Sequence, residues 1–195
     1  EAIAWSKIPI FLNMFPEGKV IITLRDPRDI VSSFKKITIA PKNDYLIALF
    51  NAVDLVNHAK RLINLYPENV HIVQFEKLKL NTETEVKKLC SFLELGFNKS
   101  MLNIDNYRDH FGKKWDDKLS RSYPEEKNPL SPVGRWQKNI LNEDLLLCEW
   151  LAEKQISYMG LSLSGKQFSQ EEFDKALSKV NSSLLLREAF KNWCL

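Results

Sequence analysis

Apolar positions along the first eighty residues change their period several times, and each change marks an element. Ile8, Phe11, Leu12 and Phe15 fall on a helical stripe that Pro16 and Gly18 end. Val20, Ile21, Ile22, Thr23 and Leu24 then run without polar alternation, which predicts a strand buried on both faces of a parallel sheet. A helix follows at once: Asp26 can cap it, Pro27 suits its first position because the missing N–H is an orphan there, and Asp29 complements the positive end of the dipole. Leu46, Leu49, Phe50, Val53, Val56 and Leu62 keep a helical period over residues 43–66 until Pro67, and residues 70–75 form a second apolar run. Two such strands separated by a long helix predict a right-handed crossover. Strands 20–24 and 70–75 should therefore lie parallel, with their carboxyl ends on the same side.

Further on, Thr82 with Glu85 three residues later reads as a capping box, Val86, Leu89, Cys90 and Leu93 as a buried stripe, and Gly96 as the stop. Residues 103–132 show no clear period and mix polar residues with Tyr107, Phe111, Trp115 and Tyr123. Long irregular segments are usually functional or disordered, and the aromatics argue against simple disorder. Leu145, Leu146, Cys148, Leu151 and Ala152 predict a helix over residues 142–159 ended by Gly160, and two short helices follow at 170–180 and 182–195.

Candidate chemistry gathers where these elements meet. Arg25 stands at the carboxyl end of a buried strand, where open α/β sheets bind ligands. Ser33 lies two helical turns beyond Asp26, which returns it to the same helix face, so a guanidinium and a hydroxyl can converge on one anion. The same residues also suit an ordinary strand-to-helix turn whose Arg is solvated or paired with Asp29. Phe75, at the end of the second strand, is either a core aromatic or a stacking surface. In Ser131-Pro-Val-Gly-Arg-Trp-Gln-Lys138, Gly134 lets the backbone approach an anion and Arg135 can add charge. A capped helix start with a buried Trp136 would look the same. His58 reads as a helix-surface residue, and His71 has no carboxylate partner in sequence; neither is given a role.

Residues 19–34 resemble the 3′-phosphate-binding segment of the sulfotransferases that use 3′-phosphoadenosine-5′-phosphosulfate (PAPS). In that family a strand ends in Arg-Asp/Asn-Pro-Arg/Lys-Asp and a Ser follows eight residues after the Arg, as Ser33 follows Arg25 here. The Phe-Glu-Lys-Leu that begins at Phe75 is similar to the family's aromatic-Glu-Asp-Leu strand end, whose aromatic stacks on adenine. Gly134-Arg135-Trp136 resembles the Gly-Arg-Trp or Gly-Asp-Trp that closes over the 3′-phosphate before the last core helix. Where the cytosolic branch carries a basic pair before that Gly, this chain has Pro132 and Val133, which leaves the phosphate contact open among Arg135, Ser131 and backbone N–H groups.

The resemblance covers roughly residues 5 to 161. It implies a three-layer, P-loop-like α/β sulfotransferase fold with a parallel sheet over residues 1–161, and a helical C-terminal extension over 162–195. It also implies PAPS as co-substrate, no metal, and a small-molecule, glycan or peptide hydroxyl as acceptor. The family's glycine- or serine-rich phosphosulfate loop, its lysine and the usual catalytic base would precede this region, so the expectation is a copy incomplete at its N-terminus with no catalytic residue assigned. Glu1 lies near the base's region but is not expected to serve as one.

The totals change this picture little. A chain of 195 residues with 44% hydrophobic and 27% charged content suits one soluble domain, and a net charge of +3 accepts an anionic ligand without implying nucleic acid. Cys90, Cys148 and Cys194 lie in apolar helical patterns without metal-ligand spacing and read as buried thiols of a reducing, cytoplasmic setting. No apolar run is long enough to span a bilayer. Two other classes stay open beside the transferase: another nucleotide-binding α/β protein such as a kinase, and an inactive interaction module on a sulfotransferase-like core. The acceptor and the oligomeric state are not legible.

Overall fold

A computed structural model describes residues 4–37, 42–113 and 133–194. Its centre is a two-stranded parallel sheet, β1 (Val20–Leu24) beside β2 (Val70–Gln74), in register from Val20 against Val70 to Leu24 against Gln74. The connection is the expected long helix, α3 (Ile47–Leu65), preceded by α2 (Pro27–Ile37) and a 3-10 turn at Asp44–Leu46. Both carboxyl ends thus lie on one side, as the two apolar runs predicted. Upstream stands α1 (Ile8–Met14), and β2 leads into α4 (Phe75–Leu80) and α5 (Thr82–Phe92). Beyond residue 132 come α6 (Trp136–Asn139), α7 (Asn142–Tyr158), α8 (Gln170–Asn181) and α9 (Leu184–Cys194).

Two apolar clusters hold these elements together. Ile22, Leu24 and Val70 pack against Val56, Ala59 and Leu62 of α3, with Leu12 and Met159 beside them. Val31 of α2 and Leu49 and Val53 of α3 pack with Leu146, Leu147 and Leu151 of α7, and Ala176, Val180 and Leu186 of α8 and α9 close the same cluster. Burying side chains of this size is worth roughly 1.5–3 kcal/mol each.

Several local expectations are corrected. β1 is not covered on both faces by the described residues: Ile22 and Leu24 are buried on α3, while Ile21 is 43% exposed and Thr23 also faces outward. Phe75 is not a strand residue but the first residue of α4. Thr82 does not cap α5; Asn81 occupies that place without a side-chain hydrogen bond, and Glu85 turns instead to Lys88 at 2.6 Å. The left-handed residue after α5 is Glu94, φ 57°, and not Gly96, with the Leu95 N–H reaching back to the Cys90 carbonyl. Gly160, φ 70°, does end α7 as expected.

Candidate functional site

The strand ends are locked to each other before any ligand is considered. Asp26 follows Arg25 at the end of β1, and its backbone N–H donates to Glu76 Oε1, at the start of α4, at 2.8 Å. Its Oδ1 accepts the backbone N–H of Arg28 at 2.9 Å, which makes it the helix cap the sequence suggested. Two residues separated by fifty positions therefore fix the point where Arg25 leaves the sheet.

Arg28, only 2% exposed, is the hub of the site, and no role had been read for it. Its Nε and Nη2 grip Asp26 at 3.0 and 2.9 Å, while Nη1 donates to Glu149 Oε1 of α7 at 2.8 Å and to the Ser162 carbonyl at 2.9 Å. The face of the guanidinium lies 4.0 Å from the Trp136 ring centre. Glu149 is in turn held by the N–H and hydroxyl of Ser164 at 2.6 and 2.7 Å. Burial alone would depress the Arg28 pKa, but hydrogen bonds and charge from Asp26 and Glu149 outweigh it and hold the pKa above the ordinary value.

Asp29 does more than complement a dipole. Its Oδ2 accepts the Gly134 N–H at 2.8 Å and its Oδ1 the Trp136 N–H at 2.9 Å, so the Gly134-Arg135-Trp136 turn is docked on the start of α2. Those two amides are therefore engaged by Asp29, and Arg135 stands half-buried between them. Gly134 is required for its backbone, φ 71°, rather than for close approach, since an added Cβ would meet nothing nearer than Gln137 at 3.9 Å. Burial is the largest influence on both Asp29 and Glu76 and raises their carboxyl pKa values, against the lowering effect of the N–H groups they accept.

Of the residues predicted for an anion site, the structure brings Arg25 and Phe75 together, the guanidinium carbon 4.8 Å from the ring centre. Lys79, one turn along α4, approaches the same ring at 5.7 Å. Ser33 is half-buried on α2, two turns beyond its cap. Ser131 lies outside the described residues. His58 stands beside Asp54 at 3.7 Å on α3, and His71 stacks on Phe92 at 5.0 Å. Cys148 is fully enclosed, and burial pushes its thiol up. Among the described residues no cluster of His, Cys, Asp and Glu could hold a metal ion, and no helix is long and apolar enough to cross a membrane. Glu149 stands out as a charge within an apolar helix stripe, whereas Arg28 and Asp29 lie in a charged strand-to-helix turn, and their partners Glu149, Gly134 and Trp136 are more than a hundred positions away.

Comparison with known proteins agrees with this geometry. A model described as the sulfotransferase family matches residues 4–99, which span β1, α2, α3, β2, α4 and α5. A solved structure, the sulfotransferase domain from the curacin biosynthetic pathway, superposes with a TM-score of 0.58 at 16% identity. That match covers 83% of this chain and 60% of the solved chain, so this sequence spans about three fifths of the other's length and shares its fold. No curated protein matches the chain. Residues 4–99, through the ends of both strands, match the sulfotransferase family, and the fold is that of a sulfotransferase domain.

Proposed function

We propose that the carboxyl ends of β1 and β2 bind the 3′-phosphoadenosine half of PAPS, and that the protein serves transfer of its sulfuryl group to the hydroxyl of a small molecule, glycan or peptide. The observation that carries this reading is the placement of Arg25 at a locked strand end with its guanidinium on Phe75, beside a helix start that also docks Gly134-Arg135-Trp136. The donor set fits the ligand: Arg25 and Arg135 supply charge for the 3′-phosphate, Ser33 a neutral donor, and Phe75 an apolar border for adenine. Ser131 belongs to the same reading through the family pattern. Of the buried acids, Asp26 is paired with Arg28, which Glu149 shares, and Asp29 is turned to backbone amides.

Sulfuryl transfer needs an in-line acceptor oxygen, a base for its proton and donors on the leaving phosphate. PAPS supplies the sulfuryl group and its 5′-phosphate leaving group. This chain's residues bind and orient the 3′ side, and we assign the base and the 5′-side lysine to none of them. Buried Cys90 and Cys148 suit a reducing compartment such as the cytoplasm. Calorimetry with 3′,5′-adenosine diphosphate and adenosine 5′-monophosphate tests the reading. The bisphosphate should bind at least about tenfold more tightly, the worth of one charge-assisted contact; equal affinities, or no binding of either, would remove it and leave a sulfotransferase-like core with another role.

A further inference from the structure

Asp29 is an acid, 1% exposed, four residues beyond Arg25, and its charge has the wrong sign for holding a phosphate. Both of its oxygens are committed to one distant turn, at 2.8 Å to the Gly134 N–H and 2.9 Å to the Trp136 N–H. These amides flank Arg135, so the backbone is fixed on either side of that residue. The turn needs the left-handed backbone of Gly134, and Trp136 is held a second time by Arg28 beneath its ring. We propose that Asp29 is a positioning residue for nucleotide binding: it holds Arg135 at the anion site that Arg25 opens at the end of β1. This rests on the nucleotide reading above and names a residue that acts without touching the ligand.

Positioning and direct electrostatics predict opposite signs. Removing a negative charge beside a bound phosphate tightens binding, whereas releasing the turn that carries Arg135 weakens it. The experiment is calorimetry on the full-length protein with 3′,5′-adenosine diphosphate and adenosine 5′-monophosphate. Asp29→Asn leaves a single side-chain oxygen for two amides. It should weaken the bisphosphate by at least about tenfold, the worth of one well-placed bond to a charged group, and the monophosphate by less than about twofold. Gly134→Ala strains the turn without touching α2 and should act in the same direction, which keeps the test alive if Asp29→Asn does not fold. In an Arg135→Ala background, Asp29→Asn should cause no further loss.

Bisphosphate affinity unchanged or tightened by Asp29→Asn would overturn the proposal. So would equal weakening of both nucleotides, which marks a general structural role, or losses that simply add to those of Arg135→Ala. A wild-type protein that does not distinguish the two nucleotides would remove the nucleotide reading and this inference with it. Discrimination by the wild type that Asp29→Asn leaves intact would remove the inference alone.

Discussion

At the scale of single residues the site is governed by what a buried charge is given to hold. Arg28 satisfies three separate demands with one planar group, a paired grip on Asp26, a third nitrogen on Glu149 and Ser162, and a face on Trp136. A lysine ammonium offers neither the fork nor the face. Glu76 is simpler: a buried carboxylate accepting backbone N–H groups from Asp26 and from Glu76 itself, with Asp26 and Asp29 near enough to oppose its charge. Its folded pKa therefore lies above the ordinary value of 4.5, and the folded state holds that proton to higher pH than the unfolded chain does. Stability from this group is then largest in acid and declines as pH rises from the ordinary carboxylate range through the raised folded value. Glu76→Gln keeps an oxygen for the Asp26 N–H and stops titrating. Urea midpoints of the two proteins should shift in favour of the variant as the pH rises above the ordinary carboxylate value, where the wild-type group ionises. A difference between them that stays constant with pH would contradict this account.

At the scale of elements, the cores of helices and strands follow periodicity, while their ends follow individual side chains. The start of α2 was readable because cap, proline and acid all stand within four residues. Thr82 and Glu85 had the spacing of a capping box, yet the chain forms that box at Ser169 and Glu172 at the start of α8. The end of α5 shows the same local contest, since Gly96 was available two residues beyond the left-handed position that Glu94 occupies at φ 57°. A side chain there costs roughly 1–2 kcal/mol, and the Lys19 contact to Glu94 at 3.5 Å is an exposed pair that returns little. Glu94→Gly should stabilise the protein by about 0.5–1 kcal/mol after the added freedom of the unfolded chain is deducted. Thermal melts that show a lower Tm for the variant would mean that the Glu94 side chain makes a contribution beyond its backbone strain.

At the scale of the whole molecule, a parallel strand pair and its long crossover bring two sequence-distant strand ends to one edge, and later segments are then secured to that edge by buried charge. The C-terminal helices share in this: Ala176, Val180 and Leu186 complete the cluster around α3 and α7, and Lys179 pairs with buried Asp144, which also accepts the Tyr45 hydroxyl at 2.7 Å. The strands and the α2 start were legible because each depends on neighbours in sequence, and the strands' common direction because a long helical crossover joins them. The attachment of Gly134-Arg135-Trp136 to Asp29 and of Glu149 to Arg28 was not, because period and composition carry no information about partners more than a hundred residues away. Phe75 was placed correctly at a strand end but in the wrong element, since an aromatic suits the last residue of a strand and the first of a helix equally. The proposal is that this edge recognises a 3′-phosphate through Arg25. Its most direct test is calorimetry of Arg25→Ala with 3′,5′-adenosine diphosphate and adenosine 5′-monophosphate. The bisphosphate should lose at least about tenfold with Arg25→Ala and less with Ser33→Ala, and the monophosphate should change little with either variant; equal weakening of both nucleotides by Arg25→Ala would contradict the assignment.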